Sequence, residues 1–199
     1  MTNERIIELQ KKMQKKQSST RYLHTLGVQY TSVCLAMLYG CPTEKAELAG
    51  LLHDCAKHLS GEKLLCKATE FGVEISGIEA NQPYLLHGKI GSIYAQAKYG
   101  IDDPDILNAI QNHTTGRPDM TLLEKIVFVA DYIEPSRKKA PNLEILRKEA
   151  FTDLDSAVLH ILSQTLAYLK TSGCTIDSQT EITFNYYEQL IRSRENEQR

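Results

Sequence analysis

His53 and Asp54 stand side by side in Leu51-Leu52-His53-Asp54-Cys55-Ala56-Lys57, where an imidazole and a carboxylate follow directly on an apolar helical run. Such a pair usually ligates metal. Consecutive helical residues point about 100° apart, so the two side chains do not chelate one ion neatly, but the carboxylate can reach across to a second. That geometry suits a two-metal centre. His24, His87, His113 and Asp131 also lie near helix ends or apolar runs. With the doublet they make a set large enough for two ions. Nitrogen and oxygen donors without thiolate suit iron, manganese, zinc or another divalent ion rather than calcium. Asp131 follows the apolar run Val127 to Ala130, where an unpaired charge is costly to bury; a metal resolves that cost. Lys57 follows Asp54 by three residues and His53 by four, so helical spacing carries its ammonium to the ligand side, within reach of a phosphate. His160, inside Val158-Leu159-His160-Ile161-Leu162, reads as a buried packing residue with no functional role, and His58 as a solvated helix end.

The elements that must position these groups read as helices. Leu23, Leu26, Tyr30, Val33, Cys34, Met37 and Leu38 recur at three- and four-residue steps, and Gly40 with Pro42 supplies a stop. Thr43 is the expected cap of the next helix, apolar around much of its circumference, which delivers His53 and Asp54 near its end. Ser60 begins a short helix that Gly72 closes, and a looser stretch leads to His87, which opens a helix running to Gly100. Asp103-Pro104 is a cap followed by proline at the first helical position, and the helix it starts ends around His113. Thr121 and Glu124 form a capping box ahead of the run to Asp131, which Glu134-Pro135 breaks. Helices follow from about Leu154 to Lys170 and from Thr180 onward, with Glu195 to Arg199 expected to fray. The expectation is one all-α domain spanning residues 1–199, its core about 20–195.

Composition sets the frame. A chain of 199 residues with 42% hydrophobic content suits one substantial core. A net charge of −2 carries no basic excess that would mark a nucleic-acid polymer as partner. Five scattered cysteines without a C-x-x-C argue against a disulfide framework or a thiolate zinc site and point to a reducing cytoplasm. The charged N-terminus holds no signal-peptide core, and no apolar stretch approaches the roughly 20 residues of a membrane span.

The order His24, His53-Asp54, His87, His113, Asp131 on consecutive helices resembles the metal-dependent phosphohydrolases of the HD-domain superfamily, with His87 and His113 matching the additional histidines of its dinuclear members. Leu86-His87-Gly88, Asn112-His113-Thr114-Thr115-Gly116 and Ala130-Asp131-Tyr132-Ile133-Glu134-Pro135 narrow the likeness to the YqeK-type symmetrical dinucleoside tetraphosphatases, over roughly residues 20 to 195. The resemblance implies an all-helical HD-domain bundle that uses iron and hydrolyses diadenosine tetraphosphate to two ADP. It implies two ions per chain, one on His24, His53, Asp54 and Asp131 and one on His87 and His113, with Asp54 as bridge and a metal-activated water as nucleophile. Asp54, Lys57, His87 and His113 are then the catalytic candidates. Lys57, His87, His113, Arg137, Thr114, Thr115 and the amide of Gly116 are candidates for the phosphates. Tyr84, Leu85, Leu86 and the loop from Gly173 to Thr180 are candidates for the adenosine. A homodimer remains open as an assembly.

Three other functions fit parts of the pattern. The same centre could act on another nucleotide, although the glycine-tyrosine-proline signature of cyclic dinucleotide phosphodiesterases is missing. A non-catalytic nucleotide-binding regulator could keep the shell, but an intact ligand set speaks against decay. A dinuclear oxygenase is the third, against which Lys57 and the phosphate-type donors favour hydrolysis.

Overall fold

Capping side chains start most of the helices. Ser18 accepts from the Arg21 amide, Ser60 from Lys63 and Asp103 from Asp105, while Thr121 and Glu124 exchange the two bonds of a capping box. Left-handed glycines close two of them, Gly40 at φ 73° and Gly100 at φ 65°. The computed structural model describes residues 3–197, and among these every regular element is helical. In order they are α1 (Asn3–Lys16), α2 (Ser19–Tyr39), α3 (Thr43–Leu52), α4 (Gly61–Glu70), α5 (Gly77–Asn81), a 3-10 turn (Pro83–Leu86), α6 (His87–Tyr99), α7 (Pro104–Asn112), α8 (Leu122–Ile133), α9 (Leu143–Ala150), α10 (Leu154–Thr171) and α11 (Ser178–Glu197). This is the expected all-α class. No helix among the described residues is long and apolar enough to cross a membrane.

Helix α2 lies along α3 and crosses α8, α3 and α8 both touch α7, and α6 packs on α7. One apolar cluster fills the centre, running from Leu9 and Met13 of α1 through Leu51, Ile90, Ile110 and Val127 to Tyr187 of α11. Glycines at close approaches help position the site. A Cβ at Gly88 would stand 2.5 Å from the Gln111 carbonyl oxygen, so glycine is what lets α6 meet the end of α7. A Cβ at Gly27 would stand 2.3 Å from the Glu134 carboxylate, so a side chain there would push that group from its present place beside His24.

The structure departs from the sequence reading in several places. Helix α1 lies in a stretch read only as too charged for a signal peptide; it buries just Leu9 and Met13, too sparse a stripe to stand out from its lysines. Helix α9 was not expected after the break at Glu134-Pro135. It follows Asn142 in the left-handed conformation and buries Leu143, Leu146 and Ala150. Pro42, not Thr43, is the cap residue of α3, and no side chain bonds there. The C-terminal helix starts at Ser178 and continues through Glu195 to Glu197, while Gln198 and Arg199 lie outside the described residues. His160 is 54% exposed at its side chain and pairs with Glu149 on α9, so it is a surface residue and not a packed one.

Glu124 ties the end of α7 to the start of α8. Its buried carboxylate accepts from the Thr121 amide at 2.7 Å, from Asn112 Nδ2 at 2.8 Å, and from Arg117 Nε and Nη2 at 2.7 and 2.6 Å. Burial opposes its charge, but Arg117, the Thr121 amide and Asn112 outweigh that and lower its pKa from the ordinary 4.5. A folded-state pKa below the unfolded one adds stability that is present above about pH 4.5 and is lost as the pH falls through the folded value. Glu124→Gln is therefore expected to cost about 1–3 kcal/mol at neutral pH. In urea melts from pH 7 to pH 3, the gap between wild type and variant should close in the acid range.

Candidate metal and phosphate site

Five helices converge at Asp54. His24 comes from the second turn of α2, His53 and Asp54 from the C-terminus of α3, His87 from the start of α6, His113 from the C-cap of α7, and Asp131 from the last turn of α8. All six predicted groups are thereby brought together. The imidazoles form a row, His24, His53, His113, His87, edge to face with centroids 5.3, 5.0 and 4.9 Å apart. His53 and His87 are wholly buried, and Asp54 is 2% exposed.

The two carboxylate oxygens of Asp54 face opposite ways. Oδ2 lies 3.5 Å from His53 Nε2 and 4.0 Å from His24 Nε2, while Asp131 Oδ1 lies 3.0 and 3.9 Å from those same nitrogens of His24 and His53. Oδ1 lies 3.3 Å from His87 Nε2 and 3.5 Å from His113 Nε2. Asp54 thus stands between two half-sites.

Each ring is oriented from behind. His53 Nδ1 donates to the Gly50 carbonyl and His113 Nδ1 to the Ile110 carbonyl, both at 2.7 Å; His87 Nδ1 donates to the Tyr84 carbonyl, and His24 Nδ1 to Glu134 Oε1 at 3.1 Å. A carbonyl can only accept, so Nδ1 of His53, His87 and His113 carries a proton, which leaves Nε2 as the position whose lone pair can face Asp54. Lone pairs of nitrogen and oxygen then meet in one buried space. His24 Nε2, His53 Nε2 and Asp54 Oδ1 have no hydrogen-bond partner. Acceptors facing acceptors repel unless cations lie between them, so the donor set fits divalent metal. Donor atoms of His24, His53 and Asp131, and of His53, Asp54 and His113, lie within 4.8 Å of one another.

Charge in the site follows from the same crowding. Burial works against ionising Asp54, yet the groups crowded around it hold its carboxyl well below the usual range, and the Arg21 guanidinium, 2.7 Å from Oδ2, favours the charged form. Burial is also the largest influence on His87 and pushes it down to about 4, against the pull of Asp54 and with the help of Lys57. That ring stays neutral at pH 7. The Lys57 ammonium, its own pKa lowered by burial, sits 3.0 Å from His87 Nε2.

The flanking residues divide. Arg137 lies beside the centre, with Nη2 3.3 Å from Asp131 Oδ1 and 3.0 Å from its carbonyl oxygen. The Thr114 hydroxyl is 3.2 Å from Nε2 of both His87 and His113. Leu85, Thr114, Thr115, Asp177, Ser178 and Gln179 line a cavity of about 710 Å³ on that side. Leu86 is different: its side chain is wholly buried in the core and does not face the cleft. The Gly116 amide is consumed by the turn, donating to Asn112 O, and the Thr115 hydroxyl donates to the Gly116 carbonyl. Tyr84 reaches the centre through its carbonyl on His87, its ring being half exposed with the hydroxyl on Gln82.

Three residues were missed. Arg21 Nη1 donates to Asp54 Oδ2 at 2.7 Å, and its position one turn ahead of His24 was the available signal. Glu134, read only as part of a helix break, orients His24 and itself accepts from the amide and hydroxyl of Ser136 at 2.6 and 2.7 Å. Arg147 of α9 clamps the turn after α8, donating to the carbonyls of Ile133, Glu134 and Arg137. Nothing in the sequence pointed to it.

A family profile described as "HD domain" matches residues 21–136, which contain every one of these converging groups. The chain belongs to the HD domain family. It is 42% identical over 83% of its length, and 87% of the relative's, to a Halalkalibacterium halodurans protein named "Bis(5'-nucleosyl)-tetraphosphatase, symmetrical". A Bacillus subtilis protein of the same name is 39% identical over 83% of this chain and 88% of the relative. A Clostridium acetobutylicum crystal structure, described as a predicted HD superfamily hydrolase involved in NAD metabolism, superposes with a TM-score of 0.89 at 43% identity, covering 92% of this chain and 96% of that one. HD domains are metal-dependent, and the His/Asp groups of this HD domain have the chemistry and spacing to bind metal.

Glu134 supplies a direct test of how the rings are held. Outer partners of metal-ligating histidines typically matter about 10- to 100-fold in metal affinity. Glu134→Ala should weaken divalent-metal affinity by about that factor, measured by competition with a chromophoric chelator, with helicity by circular dichroism retained.

Proposed function

We propose that this HD domain is a single-domain, metal-dependent hydrolase that cleaves diadenosine tetraphosphate symmetrically to two ADP, with two divalent ions per chain and iron as the metal. The observation that carries the reading is Asp54, whose two oxygens each face a separate pair of histidines across a buried space. The names of relatives covered over more than four-fifths of their length support the substrate.

His24, His53, Asp131 and Asp54 Oδ2 would hold one ion, and His87, His113 and Asp54 Oδ1 the other. When bound, such ions supply Lewis acidity toward phosphoryl oxygens and lower the pKa of water. The chain's own side chains do the rest. Arg21, Lys57 and Arg137 ring the ligand set and neutralise a polyphosphate, with Arg21 and Arg137 able to grip phosphate oxygens through planar forks. The Thr114 hydroxyl, against His87 and His113, is placed to orient a phosphate oxygen or a water. Asp54, its carboxyl held well below the usual range, stays negatively charged across the neutral pH range and so can hold cations on both sides. These cations favour phosphate hydrolysis over oxygen chemistry at the same centre.

Protein purified without oxygen should contain two metal equivalents per chain, and chromatography of its products from diadenosine tetraphosphate should give ADP alone. ATP with AMP would overturn the symmetrical reading. Asp54→Ala should lose both metal equivalents and turnover while keeping its helical circular dichroism; an active Asp54→Ala would sink the bridging role.

Lys57 has a separate signature. Lys57→Ala should raise KM for the tetraphosphate about tenfold or more, as expected when a buried charged partner of a phosphate is removed, with metal content unchanged.

A further inference from the structure

A symmetrically cleaved substrate carries two identical nucleosides, one on each side of the reacting phosphates, and the cavity beside Thr114 and Leu85 lies on the His87 and His113 side of the centre only. On the opposite flank lies a second cavity of about 690 Å³, between the end of α8, the turn at 137–141 and α10. The two volumes are nearly equal. Resting on the diadenosine tetraphosphate reading above, we propose that this second cavity, walled by Tyr132, Gln164 and Tyr168, seats the second adenosine, so that the substrate lies across the metal centre with one nucleoside on either side.

The wall chemistry suits a purine. Tyr168 is 68% exposed on this wall and offers an aromatic face for stacking. The Tyr132 hydroxyl donates to Gln164 Oε1 at 3.2 Å, which directs the other end of that amide, its NH2, to ring-nitrogen acceptors of an adenine edge. Thr165 and Thr171 add hydroxyls to the same wall.

The route from the metal centre to this cavity is cationic. Arg137 and Lys139 line both the second cavity and the smaller opening that contains Arg21 and His24. Arg137 bridges the two, with Nη2 3.3 Å from Asp131 Oδ1 and its guanidinium 5.5 Å from the centroid of the Tyr132 ring. A diphosphate leaving the centre would pass these cations before its nucleoside reached the aromatic wall.

The test uses metal-loaded full-length protein with ADP as the equilibrium probe and diadenosine tetraphosphate as the kinetic one. Wild type should bind two ADP per chain by calorimetry. Tyr168→Ala should retain one and lose the other, its KM for diadenosine tetraphosphate rising about tenfold through the lost base stacking. Tyr168→Phe, which keeps the stacking face, should restore both readouts. Because Tyr168 is exposed, an unchanged melting temperature will separate a binding effect from a folding one. Two ADP per chain and a wild-type KM in Tyr168→Ala would overturn this inference and leave the hydrolase intact, as would a single ADP site in an active wild type. A wild type that makes no ADP from diadenosine tetraphosphate would bring down the parent reading and this one together.

Discussion

A buried carboxylate surrounded by the bare nitrogens of four imidazoles is the constraint on which the rest of this molecule depends. Asp54 cannot be left in an apolar interior without compensating charge, and the rings around it cannot supply hydrogen bonds while their Nδ1 protons are committed to Gly50, Tyr84, Ile110 and Glu134. In the structure Arg21 and Lys57 donate into this space, one to Asp54 and one to His87. Both are the kind of group that a polyphosphate can draw outward. The electrostatic demand that makes the site a metal centre therefore also stocks its rim with cations.

Holding such a cluster requires helices to meet more closely than ordinary side chains allow. Gly88 brings α6 against the Gln111 carbonyl, and so places His87 Nε2 3.1 Å from His113 Nε2. Gly27 opens α2 to Glu134, and so fixes the ring of His24. Beyond the ligands, Glu124 binds the turn after His113 to the start of the helix that carries Asp131, and Arg147 closes the turn that carries Glu134. Both are ion or carbonyl networks one step removed from the site. They tie the end of α7 to the start of α8, and the end of α8 to α9.

Much of the fold was legible because caps and periods are local. Ser60, Asp103 with Pro104, and Thr121 with Glu124 mark helix starts by chemistry that acts within one turn, and the structure places helices where those signals fall. The misses have the opposite character. Helix α1 buries Leu9 and Met13 against partners far along the chain, and α9 forms around Leu143, Leu146 and a left-handed Asn142. His160 sits in an apolar pattern yet faces solvent, since its partner Glu149 belongs to a helix that the pattern did not reveal.

The sequence by itself determined the helical class, most helix boundaries and the residue types able to bind metal, because helix capping, amphipathic period and ligand chemistry are properties of neighbours along the chain. Only the tertiary structure decided that His24, His53, His87, His113 and Asp131 meet at Asp54, and that its two oxygens face different pairs. It also decided that Leu86 turns into the core, that the Gly116 amide is spent on its own turn, and that Arg21, Glu134 and Arg147 belong to the site or its frame. The reason is physical. Direction and burial of a side chain depend on which distant backbone approaches it, and no spacing along one strand of sequence carries that information.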